Sequence, residues 1–164
     1  MTEPTRRVAS YGVCVSDGAL LMVVVTDPTD GQETRTLPGG GVDPLEDPVD
    51  TVIREVAEET GRTAQVVRLL GVDSRVIPAH DAVRGVPHQN IGIFYEVSLT
   101  DSDRDLRAEA SGDTRKPSWI PLDQVTSLRR SGLVDVGRRL LETRPATGHF
   151  PDPPCPGDNP LIRH

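Results

Sequence analysis

The chain has 164 residues, a formal net charge of −7, 35% apolar residues and only 3% aromatic residues. That length suits one domain with its own core, built mainly from Val, Leu, Ile and Ala. The acidic balance argues against a protein that coats a nucleic-acid polymer through a basic face, but not against one that holds a polyphosphate through metal ions.

In chain order, Val8–Val15 and Ala19–Thr26 are rich in β-formers, and Ser16-Asp17-Gly18 between them has the chemistry of a hairpin turn. Asp27–Thr34 is polar, carries Pro28 and Gly31, and reads as a loop. Leu37-Pro38-Gly39-Gly40-Gly41 follows, a run that regular elements tolerate poorly. A helix is expected next, with Asp47 as N-cap, Pro48 at the first position and Gly61 at the end. Val49, Val52, Ile53, Val56 and Ala57 share one face of it at helical spacing. Strands are expected near Gln65–Ile77, Ile91–Leu99 and Ser118–Ile120, and a second helix over Leu133–Thr143. The segment 145–164 contains six prolines, a composition associated with disorder. It is set apart from a domain at 1–144 and expected to dock on that domain or on a partner. No apolar run approaches the ~18 residues of a membrane span, and residues 1–7 lack a signal-peptide core. Cys14 and Cys155 have no metal-ligand spacing and read as reduced thiols, hence a cytoplasmic protein.

The chemistry concentrates on the first helix. At about 100° per residue, Glu55, Glu58 and Glu59 cluster away from the apolar stripe. A bare Glu-x-x-Glu-Glu is ordinarily a solvated acidic face, because like charges at these spacings cost only a few tenths of a kcal/mol. Its surroundings point elsewhere. Arg54 precedes Glu55 and can orient a carboxylate. The glycine run upstream can offer carbonyls to a metal or amides to a phosphate.

Gly40, Glu46 and Arg54-Glu55-Val56-Ala57-Glu58-Glu59-Thr60-Gly61 stand at the spacing of the Nudix hydrolase signature, which this chain therefore resembles. Seven fixed letters meet by chance on the order of once in a million. Two positions depart from the pattern. Arg62 replaces a hydrophobic residue, where it would loosen packing or reach a phosphate, and Leu45 replaces a frequent Gly. The resemblance implies an α/β fold, a Nudix-type α/β/α sandwich with a mixed β-sheet between helices. It implies Mg²⁺-dependent hydrolysis of a diphosphate linkage in a nucleoside diphosphate derivative, of ADP-ribose or nucleotide-sugar type, or in a nucleoside triphosphate. Mn²⁺ is the alternative ion, since hard oxygen ligands suit both.

Carried over onto this sequence, the metal ligands are Glu55, Glu58, Glu59 and the Gly39 carbonyl. Arg54 would orient Glu55, and Glu46 would play a supporting part. Glu58 or Glu59 ranks first as general base, followed by Glu109 and then Asp113 on the loop before Trp119. Arg35 and His88 are candidate contacts to substrate, with an edge-strand Arg and a strand-end His as the plainer readings. Trp119 reads as core. Accessory motifs of the coenzyme A, NADH and dinucleoside polyphosphate groups are missing. Pro78 sits about where ADP-ribose-type members have a proline, but one proline does not decide specificity. The expected partner is a small-molecule nucleotide, without nucleic-acid polymer or membrane. A homodimer is a further expectation, since the nucleotide-sugar branch commonly dimerises. The rival class is a Nudix-fold nucleotide sensor that binds without turnover. Such modules usually lose signature carboxylates, and this chain keeps them.

Overall fold

The computed structural model describes residues 3–28, 30–101, 105–108, 112 and 114–149. Its strands are β1 (Thr5–Val13), β2 (Val15–Ser16), β3 (Ala19–Thr26), β4 (Glu33–Thr36), β5 (Gly39–Gly41), β6 (Ala64–Ile77), β7 (His88–Leu99) and β8 (Thr114–Pro121). Its α-helices are α1 (Pro48–Thr60) and α2 (Gly132–Thr143), with a 3-10 turn at Val125–Ser127.

One sheet has the order β5-β1-β7-β6. It is mixed, because β1 runs parallel to β7 and antiparallel to β5. In the second sheet β3 pairs antiparallel with β2, β4 and β8. Alternation along β1 decides which helix covers which face. Ser10 donates to the Pro48 carbonyl at 2.7 Å, and Gly12 packs beside Val52 and Val56, so this face belongs to α1. Ala9, Tyr11 and Val13 turn the other way and join Phe94, Leu37, Leu133, Val136 and Leu140 in a buried cluster. The first sheet thus lies between the two helices, as the resemblance implies.

Three local expectations are corrected. The glycine run is not a loop: Gly39–Gly41 is the edge strand β5, paired with Tyr11, Ser10 and Ala9. Tertiary pairing supplies the hydrogen bonds that glycine propensity would not predict. β8 begins at Thr114, four residues before the expected short strand. Ala57 is exposed, whereas Val52 and Val56 are buried and Val49 and Ile53 pack beside them.

The chain after α2 returns to the first sheet. Val72 on β6 donates to the Gly148 carbonyl at 2.9 Å, and Gly148 donates to the Pro145 carbonyl at 2.9 Å. A methyl group on Gly71 would overlap the Gly148 backbone, so this crossing needs a bare Cα. Residues 150–164 of the proline-rich segment lie outside the described residues.

Candidate active site

Local chemistry sets both ends of α1. The Asp47 carboxylate accepts the Val49 amide at 2.8 Å with Pro48 at the first position. Gly61 adopts φ 69° and donates to the Ala57 carbonyl at 2.8 Å. Capped in this way, the helix lies against β5 with its acidic residues at the glycines. Gly40 is the point of contact: a methyl group there would overlap the Glu55 carboxylate. Gly39 has φ 149°, and a Cβ on it would sit 2.8 Å from the Tyr11 Cα. A strand with no side chains is what lets these carboxylates approach the backbone.

Arg54 is the hub of the cluster. Its Nε and Nη2 donate to the two oxygens of Glu46 at 2.8 and 2.9 Å, a bidentate pair. Its Nη1 reaches Glu55 at 2.9 Å and Glu58 at 3.3 Å. The bidentate partner is therefore Glu46 rather than Glu55. Glu46 is further held by the Thr51 hydroxyl at 2.7 Å and the Asp43 amide at 3.1 Å. The Arg54 guanidinium, with Thr51, depresses the Glu46 carboxyl to about 2. Glu46 is a brace for Arg54.

Glu59 is placed differently. It is buried, and its Oε2 accepts the Gly39 amide at 2.8 Å. Burial pushes its carboxyl up to about 8, with Glu55 and Glu58 adding repulsion. Burial also raises Glu55, opposed by Arg54. Glu58 is the most exposed of the three, at 41% against 15% for Glu55. As the side chains stand, no three acidic, His or Cys groups among the described residues converge on one ion. Arg54 draws Glu55 and Glu58 to itself, and the Gly39 amide holds Glu59. The donor set nevertheless fits a hard divalent cation: carboxylate oxygens against a glycine strand, on helix and strand backbones that hold them close together. Glu55, Glu58, Glu59 and the Gly39 carbonyl are the residues that would hold it.

His88 is the first residue of β7, nearly buried, with Nδ1 2.8 Å from the Thr5 hydroxyl. Burial and the nearby Arg7 and Arg84 charges lower its pKa, so it stays neutral at physiological pH. Arg35 lies on β4, where its backbone bridges Arg130, so it is not on an open edge. Arg62 is buried and paired with Asp101 at 3.1 Å. That ion pair replaces the hydrophobic contact of the signature. Trp119 packs beside the cluster of Leu21, Val52 and Val56 and also lines a cavity of about 450 Å³ with Cys14, Asp17, Arg62 and Leu99. Its lining includes Val15, Ser16 and Ala19 of the hairpin and none of Glu55, Glu58 and Glu59. Glu109 and Asp113 lie outside the described residues. Sequence reasoning missed Arg7, Asn90 and Arg75, which the register places side by side across β1, β7 and β6.

Comparison with known proteins agrees with this geometry. The chain is 28% identical over 138 residues to the "Putative mutator protein MutT4" of Mycobacterium tuberculosis, covering 81% of this chain and 52% of that protein. It is 36% identical over 76 residues to the "Probable DHNTP pyrophosphohydrolase" of Lactococcus lactis, covering 46% of each. The chain thus spans about half the length of these curated relatives. Among solved structures, a MutT NUDIX hydrolase from Burkholderia pseudomallei is similar with a TM-score of 0.58 and 26% identity, over 84% of this chain and 97% of that one. The model of the NUDIX domain matches residues 4–142, and with the signature helix and glycine strand in place, the chain belongs to the NUDIX family.

Proposed function

We propose that this protein is a Nudix pyrophosphohydrolase that cleaves a diphosphate linkage in a nucleoside diphosphate derivative, with Mg²⁺ or Mn²⁺ as cofactor. One observation carries the reading: Glu55 and Glu59 meet the Gly39–Gly40 backbone on one side of α1, with Glu58 beside them on Arg54, which Glu46 braces. A sensor that only bound nucleotide would have no use for three closely spaced carboxylates kept at a cost in repulsion. The relatives' names, mutator protein and pyrophosphohydrolase, support the same reaction class.

A bound divalent ion would neutralise the diphosphate and lower the pKa of attacking water. The protein's own groups supply orientation. Arg54 restrains Glu55 and Glu58 through one guanidinium nitrogen while Glu46 fixes the other two. The Gly39 amide fixes Glu59. Glu58, the least buried of the three, is our first choice to take the proton from water, followed by Glu59 and then Glu109. Arg35 and His88 are assigned to the substrate side of the site. A cytoplasmic location suits the free, buried thiol of Cys14.

The test is a panel of nucleotide sugars, ADP-ribose and nucleoside triphosphates with Mg²⁺ or Mn²⁺, read by release of phosphate or mononucleotide. Turnover that E58Q and E59Q abolish supports the assignment, and E109Q at full activity removes Glu109 from consideration. Tight binding without turnover across the panel would replace the enzyme with the sensor. Light scattering on the same preparation decides the dimer.

A further inference from the structure

Across the first sheet, Arg7 on β1 pairs with Asn90 on β7, and Asn90 pairs with Arg75 on β6. The neighbouring row holds Thr5, His88 and Ile77. By strand alternation these side chains share the face of Ala9, Tyr11 and Phe94, not the face of α1. Arg7 Nη1, Asn90 Oδ1, Arg75 Nη2 and His88 Nε2 are all buried and have no hydrogen-bond partner among the described residues. Native interiors rarely leave such atoms unpaired, because each has given up water for nothing. Here four of them belong to two adjacent rows.

Three of the four residues are held through other atoms. Arg75 Nε donates to Asp73 at 2.8 Å, His88 Nδ1 bonds Thr5, and Asn90 bonds the Tyr11 hydroxyl. Arg75, His88 and Asn90 are thus held in place with one group each left over. Asp73 offsets Arg75, while Arg7 acts on Glu55 of the acidic cluster. The row also starts at the acidic cluster. Arg7 lies over Gly41, where an added Cβ would be 3.3 Å from its Nε, and its charge acts on Glu55. From there it runs two strand spacings, about 10 Å, to Arg75.

We infer that Arg7, Asn90 and Arg75 form a subsite for a second oxyanion of the substrate, one that sits apart from the diphosphate that is cleaved. This rests on the hydrolase reading and narrows it. The preferred substrate is a nucleoside diphosphate derivative whose attached group bears a phosphoryl or carboxyl group, with a neighbouring hydroxyl for the Asn90 carbonyl. Guanidinium groups suit either oxyanion.

Two matched pairs distinguish the sources: ADP-ribose against its 1″-phosphate, in which the added phosphoryl group is on the attached ribose, and UDP-glucose against UDP-glucuronate. The wild type is expected to show at least a tenfold higher kcat/KM for the charged member of one pair. R75Q, and D73N/R75Q to avoid stranding Asp73, should bring that ratio within twofold through KM and leave the neutral member within twofold of wild type. Equal use of both members by the wild type, or equal loss on both in the variants, overturns the subsite while the hydrolase stands. If neither pair is turned over, thermal shift in EDTA with the same compounds decides. Stabilisation by a charged member alone that R75Q abolishes supports the subsite, and its absence overturns it.

Discussion

Replacing Glu59 by Gln in the metal-free protein should remove a specific dependence of stability on pH. Glu59 is buried, its carboxyl sits at about 8 against 4.5 for the free group, and burial is the largest cause. The folded protein therefore binds a proton that the unfolded chain releases between those two values. Stability from this group is full below pH 4.5 and is lost as the pH rises through about 8. At about 1.4 kcal/mol per pH unit, the loss from pH 5 to pH 7 is on the order of 3 kcal/mol, or roughly 6–12 °C in Tm for a chain of this size. Gln keeps the acceptor for the Gly39 amide and has no proton to exchange. Calorimetry in EDTA across pH 5 to 7.5 should show the wild-type Tm falling relative to E59Q, and added Mg²⁺ should restore it in the wild type only. A wild-type to E59Q difference that stays flat with pH would refute this account of Glu59.

Three other outcomes are expected. R54K breaks the bidentate pair with Glu46, which a point-charge ammonium cannot reproduce. Steady-state kinetics should show a loss of about 10–100-fold in activity or metal affinity with circular dichroism unchanged. Leu45 is fully exposed and adopts φ 68°, a left-handed conformation that costs a branched residue roughly 1–2 kcal/mol. L45G should therefore raise the unfolding free energy by about 1 kcal/mol in urea titration, less the extra chain entropy of glycine. Burial pushes the Cys14 thiol up to about 11. In a C155S background Cys14 should resist iodoacetamide at pH 8 and react at once in denaturant.

The parts that were legible in the sequence are those set by neighbours. Asp47, Pro48 and Gly61 bound α1 through contacts within a turn, and the signature spacing carried Glu46, Arg54, Glu55, Glu58 and Glu59 with it. Leu45 shows a departure becoming intelligible in the structure: many family members have glycine there, and the backbone here is left-handed. What was illegible depends on distant pairing. The glycine run becomes a strand only because β1 supplies its partners. Arg62 is satisfied by Asp101, 39 positions on. The Arg7–Asn90–Arg75 row exists only once three strands are in register, and no local pattern announces it.

The parallel pairing of β1 with β7 has a consequence for how the protein is made. Thr5 faces His88 across 83 positions of chain, so the strand synthesised first waits for one that emerges much later. At roughly 5–20 residues per second, that delay is several seconds during which β1 can pair only with the three-residue β5. Folding must close this long loop before the contacts reward it. The hairpin to β3 and the capped α1 can form on the ribosome. Arg7 meets Asn90 only once β7 has emerged, so the Arg7–Asn90–Arg75 row can assemble only after the acidic helix is complete.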